Sequence, residues 1–139
     1  MTNSDYRRTD SGALVHKTAV IEGGVQLGND VVIESGVRIG SGVRIGNGSW
    51  IWNDATIRSG VVIENGSWIG DGSWIGSGSK IESGVVIGGA RIGDDVLIGS
   101  DARIGSGSTI GRGVVIESGA TIESGAVIEK TMNPQNPQE

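Results

Sequence analysis

The chain has no cysteine and no phenylalanine, a single tyrosine, a single histidine and only two prolines, Pro134 and Pro137, close to its C-terminal end. Without cysteine there is no disulfide framework and no thiolate metal site, while the redox compartment stays open. Without phenylalanine, aromatic packing adds little to a core, so stability has to come from aliphatic contacts and backbone ladders. One histidine, His16, cannot supply a three-histidine zinc centre. Glycine is abundant, with 26 residues, yet no Gly-x-Ser-x-Gly elbow and no Gly-Lys-Ser/Thr phosphate loop occurs. No apolar run reaches membrane length and none reads as a leader, so a cytoplasmic protein without membrane contact is expected. The formal charge of −5 is carried by interspersed Arg and Glu, which leaves no basic stripe for nucleic acid.

What is present is a period. From Val15 an aliphatic residue returns every sixth position: Ile21, Leu27, Ile33, Ile39 and Ile45, and on through Ile51, Ile57, Ile63, Ile69, Ile75, Ile81 and Ile87. After one five-residue step across Gly88-Gly89-Ala90-Arg91 the count resumes at Ile92 and runs to Ile128. Two residues before each aliphatic stands a small one, such as Val37, Ser49, Ala55, Val61 or Ser73. Positions i−2 and i therefore face one way, and i−1 and i+1 the other, which is strand alternation. The two remaining positions are Ser-Gly, Asn-Gly, Asp-Gly or Asn-Asp pairs, residues that tolerate sharp corners.

A period of six cannot hold one face of a 3.6-residue helix, and the composition favours Gly and β-branched residues. Sandwich strands would recur at wider spacing. The arrangement that satisfies the whole pattern is an all-β parallel solenoid, in which identical side chains pile into columns about 4.8 Å apart. The short step at 87–92 is expected to be a tightened corner.

The unit aliphatic–(Gly/Glu)–x–x–small–x, as in Ile33-Glu34-Ser35-Gly36-Val37-Arg38 or Ile69-Gly70-Asp71-Gly72-Ser73-Trp74, is the hexapeptide repeat. Over residues 13–130 the chain resembles the left-handed parallel β-helix of bacterial acyltransferases and γ-class carbonic anhydrases. The resemblance implies triangular coils of about 18 residues, six to seven in number, with a non-periodic cap at 1–12 and a tail at 131–139. The carbonic anhydrase chemistry is excluded, because its metal needs three histidines.

Candidate chemistry is sparse. His16 lies at an outward position of the first coil and reads as an exposed histidine rather than a general base. Asp94-Asp95 reads as a turn, not a cation site. Asn47-Gly48-Ser49 and Asn65-Gly66-Ser67 match a glycosylation triplet but read as corners. No catalytic residue, cofactor-binding residue or metal ligand is expected. The anomaly is aromatic: Trp50 and Trp52 flank the inward Ile51, Trp68 follows one coil later above Trp50, and Trp74 lies on the next side. Such a patch marks an association surface; cross-rung stacking and sugar or nucleotide contact are its other readings.

The uniformity of the repeat, with no loop inserted between Val15 and Ile128, points to a designed or consensus-idealised structural scaffold with no activity and no clear small-molecule ligand. Its partners would be limited to further copies of itself. The alternative implied by the resemblance is a homotrimeric acyltransferase that moves an acyl group from acyl-CoA to an amino sugar. Ice binding is disfavoured because Thr56, Thr109 and Thr121 form no regular rank. End-to-end filaments are disfavoured by the two non-periodic ends.

Overall fold

The computed structural model describes residues 5–130; the tail at 131–139 and the first four residues of the cap fall outside that range. Among the described residues there is no helix, and none long and apolar enough to cross a membrane. Each hexad forms one short strand, usually two residues long, such as Val32–Ile33, Arg38–Ile39 and Arg44–Ile45. Every third strand pairs in parallel with its counterpart one coil away, so that Ile33 meets Ile51, Ile39 meets Ile57 and Ile45 meets Ile63. The result is a left-handed parallel β-helix whose walls are three sheets of eight, seven and six strands. We call them the first face (with Trp50–Ile51 and Trp68–Ile69), the second face (with Thr56–Ile57 and Trp74–Ile75) and the third face (with Val62–Ile63 and Lys80–Ile81). The usual right-handed crossover rule depends on a twisted strand feeding a helix that packs back on the sheet. Here two-residue strands and bare corners leave that preference nothing to act on.

The interior is the aliphatic column that the period requires. Ile33, Ile51, Ile69 and Ile87 line up inside the first face, and the Ile columns of the other two faces converge on them, all fully buried through the middle coils. The small residue at i−2 fills the remaining space. Five of these positions are serine: Ser49, Ser67, Ser73, Ser79 and Ser108 are buried. A buried hydroxyl is tolerable only when bonded. The Ser67 hydroxyl donates to the carbonyl of Glu82 at 2.9 Å, and that of Ser79 donates to the carbonyl of Gly93 at 2.9 Å while accepting from the amide of Val96 at 3.1 Å. These serines fasten one corner to the next coil. Toward the two ends of the described residues Ile21, Leu27, Ile122 and Ile128 are only partly buried.

One strand breaks the parallel rule. Tyr6–Arg8 runs antiparallel along Leu14–His16, pairing Tyr6 with His16 and Arg8 with Leu14. It occupies the open edge of the first face, where unpaired ladder groups would otherwise recruit another chain.

At most corners the second residue has a positive φ, usually a glycine, but aspartate at Asp30, Asp54, Asp95 and Asp101 with φ between 59° and 66°. Its amide donates to a corner carbonyl of the preceding coil, as Gly72 does to Asn53 at 2.9 Å. The shortened corner at Gly88-Gly89 omits this residue. Strand register is kept, with Trp74 opposite Arg91 and Ile75 opposite Ile92, and a Cβ on Gly89 would stand 2.4 Å from the carbonyl oxygen of Asp71. The corner is tightened, and only glycine fits it.

Three substitutions test this account by thermal melting. Gly72→Ala meets no atom within 4 Å but keeps φ at +68°, so it should cost only about 1 kcal/mol of backbone strain. At Gly76 a Cβ would stand 2.4 Å from the carbonyl carbon of Gly93 and 2.5 Å from the amide of Asp94. Gly76→Ala should therefore force two coils apart and cost roughly 3 kcal/mol or more. Ile63→Asp, which buries an unpaired charge in the column, should yield no folded protein; unchanged melting would refute the inward assignment of Ile63.

Candidate functional site

The outward side chains of the first face form a continuous polar-aromatic ladder that begins at the antiparallel edge strand. The Tyr6 hydroxyl donates to Oε1 of Glu34 at 2.5 Å, and the Trp50 indole Nε1–H donates to Oε2 of the same carboxylate at 2.7 Å. Glu34 therefore ties the N-terminal strand to the third coil. Trp50 and Trp52, which flank Ile51, stack with centroids 4.6 Å apart and 9° between planes. Trp68 is the register partner of Trp50, yet it stands edge-on to both rings, at 6.2 Å from Trp50 and 5.4 Å from Trp52. Trp68 is the most exposed of the group at 44%.

Above Trp52 its column continues as Gly70 and Gly88, whose missing side chains leave a cavity of about 250 Å³ bounded by Trp52, Trp68, Asp71 and Val86. The indole Nε1 of Trp52 is buried and has no hydrogen-bond partner. That orphan donor carries a desolvation cost, offset by its contacts with Trp50 and Trp68.

Trp74 does not join this cluster. It lies on the second face between two guanidinium groups, Arg58 at 5.1 Å and Arg91 at 5.2 Å from the ring centroid. The tryptophans thus divide into a group of three on the first face and a separate Arg–Trp–Arg stack, with Trp74 on the next side as the three-hexad coil requires.

His16 caps the ladder at its lower end. Its ring meets Tyr6 edge-on at 5.0 Å. Its Nδ1 accepts from the amide of Thr18 at 3.1 Å, which places the proton of the neutral imidazole on Nε2. Asp94 and Asp95 form a corner: Asp95 has φ 59° and the Asp94 carboxylate accepts from the amide of Ser77 at 2.9 Å. Among the described residues no group of three or more His, Cys, Asp or Glu side chains could hold a metal ion.

The electrostatic consequence of the ladder falls on Tyr6, whose hydroxyl is pushed up from 10.0 to about 12. Its hydrogen bond to Glu34 is the main cause, followed by burial and by the negative charges of Glu34 and Asp5. Ionising the phenol would set two anions against each other across that bond.

Comparison with known proteins follows the architecture. Residues 10–92 match the family model described as the GMPPB C-terminal domain, and residues 89–124 match that of the bacterial transferase hexapeptide (six repeats). No curated protein matches. Among solved structures, a Bacillus cereus protein described as an acetyltransferase is 24% identical, with 81% of this chain and 76% of that one covered and a TM-score of 0.65. A variant of GDP-perosamine N-acetyl transferase from Caulobacter crescentus, in complex with CoA and GDP-perosamine, is 22% identical over 85% of this chain and 53% of that one, with a TM-score of 0.48. The acetyltransferase domain of PglB from Neisseria gonorrhoeae, in complex with acetyl coenzyme A, is 21% identical over 82% and 55%, with a TM-score of 0.48. The chain spans about half the length of the Caulobacter protein. At these identities the solved structures establish the fold.

The expectation of a designed, inert scaffold with no small-molecule ligand is overturned by the family matches, foremost the transferase-type hexapeptides at 89–124. The physical reason for the misreading is that stacked coils demand Ile and small residues inside whatever the protein does. A uniform core therefore carries no information about activity; only outward positions do.

The aromatic ladder yields two expected outcomes. Trp50→Phe, which strands one oxygen of Glu34, should lower stability by about 1–2 kcal/mol, whereas Trp52→Phe removes an orphan donor and should leave stability level or raised. Because the chain has one tyrosine, its ionisation can be followed directly by ultraviolet absorbance. The midpoint should lie near 12 and fall back toward the ordinary value in Glu34→Gln. Since the folded value lies above the unfolded one, the stability that this bond confers is complete below pH 10 and is lost as pH rises through about 12.

Proposed function

This chain belongs to the family of the GMPPB C-terminal domain, and from that premise we propose that it is an acyltransferase module, carrying an acyl group from acyl-CoA to the amine of an amino sugar as a homotrimer. The observation that carries the reading is the run of bacterial-transferase hexapeptides at 89–124, the upper coils of a β-helix that has no inserted loop of its own. With no loop to close a pocket within one chain, the cleft has to be completed by a second copy.

The Trp50, Trp52 and Trp68 cluster is the surface proposed for that contact. It is the largest aromatic patch on the described surface, it is held rigidly by Glu34, and Trp68 is left 44% exposed in a single chain. Rigid exposed aromatics of this kind anchor interfaces at small entropic cost. Trp74 is assigned elsewhere.

In chemical terms the amine of the acceptor attacks the thioester carbonyl, an amide C–N bond forms, the C–S bond breaks, and the thiol of CoA leaves with a proton. A base must take a proton from the attacking amine. His16 is the one imidazole of the chain, but its basic nitrogen Nδ1 is engaged by the Thr18 amide and Nε2 carries the ring proton, so it is not assigned as that base.

The reading is tested by sedimentation and by thiol release. Sedimentation should give a trimer that Trp68→Glu dissociates without unfolding. Acetyl-CoA with an amino-sugar nucleotide should release free thiol, at a rate that His16→Asn leaves unchanged. A monomer at all concentrations, together with no thiol release, would reject the proposal.

A further inference from the structure

The second face holds a cationic arrangement that the transferase reading leaves unused. Its outward residues form one column, Arg38, Thr56, Trp74, Arg91 and Thr109, in register from coil to coil. Arg58 projects from the same strand end as Thr56, one position beyond Ile57. Across these middle coils the face carries three arginines and no acidic residue in its outward columns. Among the described residues the ion pairs are Lys17–Asp5, Lys80–Glu64 and Arg112–Asp95, and none of them neutralises Arg38, Arg58 or Arg91. Leaving three guanidinium groups unpaired on one face is unexpected in a chain of net charge −5, where carboxylates are plentiful.

Two of the three are also held in place. Arg58 and Arg91 lie against the ring of Trp74 at nearly equal distances, 5.1 and 5.2 Å. Stacking on an indole fixes the plane of a guanidinium and leaves its N–H edge pointing outward. Arg58 also lines, with Arg38, a cavity of about 350 Å³ whose other walls include Thr56, Ser41 and Ser59, with Glu22 at its lower rim. Hydroxyls and guanidinium groups around a cavity of that size are the donor set of an anion site. Arg38 and Arg58 stand on adjacent coils, about 4.8 Å apart along the axis, and Arg91 stands two coils beyond Arg58, on the other side of Trp74. A single phosphate would use one fork; two linked phosphoryl groups match forks on successive rungs.

We propose that the Arg38–Arg58–Trp74–Arg91 cluster of the second face is a diphosphate-binding clamp. It takes the diphosphate of a nucleotide-bearing ligand, with Arg58 at its centre and Trp74 as the fixed support for two of its three forks. The clamp rests on the geometry of the second face and does not depend on acyl transfer. Two ligands of this chemistry differ in what flanks the diphosphate: a pantetheine arm in coenzyme A, or a sugar in a nucleotide sugar.

The test is a titration with inorganic pyrophosphate followed by the indole N–H signals, of which the full chain has four. The Trp74 signal should shift saturably while those of Trp50, Trp52 and Trp68 stay in place. Arg58→Gln and Arg91→Gln should each weaken binding roughly tenfold, and Arg103→Gln, an exposed arginine of the first face, should not. Melting of each variant checks that the coil is intact. Coenzyme A and a uridine diphosphate sugar are then set to compete with pyrophosphate. Displacement by the first assigns the clamp to an acyl donor, and displacement by the second to a sugar nucleotide; either supports it. No saturable Trp74 shift, equal weakening by Arg103→Gln, or failure of both nucleotides to compete would overturn it. Thiol release measured alongside keeps the two ideas apart: loss of transfer with the clamp intact removes the transferase alone, and transfer without Trp74 shifts removes the clamp alone.

Discussion

Every property of this molecule depends on a single repeat distance, the spacing between hydrogen-bonded coils. The amides of Val32, Trp50, Trp68 and Val86 donate to the carbonyls of Ser49, Ser67, Val85 and Ala102 on the next rung at 2.8–3.1 Å, and this fixes the pitch at about 4.8 Å. Each side chain then has its neighbours chosen for it: the residue one coil above and the residue one coil below. Inside, this demands side chains that stack on themselves, which β-branched isoleucine does well. At certain positions it leaves no room for a side chain at all; Gly76 and Gly89 face the backbone of the adjoining coil at distances no Cβ could occupy. Outside, it converts a linear list of residues into a lattice of columns, and function has to be written in that lattice.

Legibility in the sequence follows the same division. The inward columns were readable because one residue type repeats at one interval, and the observed burial of Ile33 through Ile104 follows the period position by position. The three-hexad coil made Trp68 the neighbour of Trp50 and sent Trp74 to the next face, as the register pairs have it. Glu34 was not readable. Its partners Tyr6 and Trp50 are 28 and 16 residues away, and one of them belongs to a strand outside the period. The roles of Arg58 and Arg91 were hidden in a similar way. Mixed charges on outward positions look like a solvated surface until the rotamers bring two of them onto one indole. By spacing alone the serines read as small residues of the column, and the bonds of Ser67 and Ser79 to corner backbone atoms depend on χ1, which no spacing encodes.

The error about activity has the same source. A repeat without loops looked like a chain from which function had been removed. In a β-helix of this family the loops are dispensable to the fold, and a face of the prism is already a rigid platform on which polar groups can be placed to within the tolerance of a rotamer. Trp50, Trp52 and Trp68 on one wall and Arg38, Arg58 and Arg91 on the next use that platform in two different ways, one aromatic and tied to a carboxylate, the other cationic and left open.

The shortened corner at Gly88-Gly89 bears on how such a chain finds its structure at all. A perfect repeat is degenerate: a coil laid down one rung too early would meet an almost identical neighbour, and a slipped solenoid would bury nearly the same residues. The coil that passes through Ile75, Ile81, Ile87 and Ile92 is one residue shorter than the rest, so it breaks the translational symmetry of the chain at a single place. In register, Gly89 lies against the Asp71 carbonyl on one side and accepts from the Gly107 amide on the other, and a slip by one rung would carry the short corner away from both. The missing residue thus works as an index mark, giving an otherwise self-similar polymer one position from which all its rungs are counted.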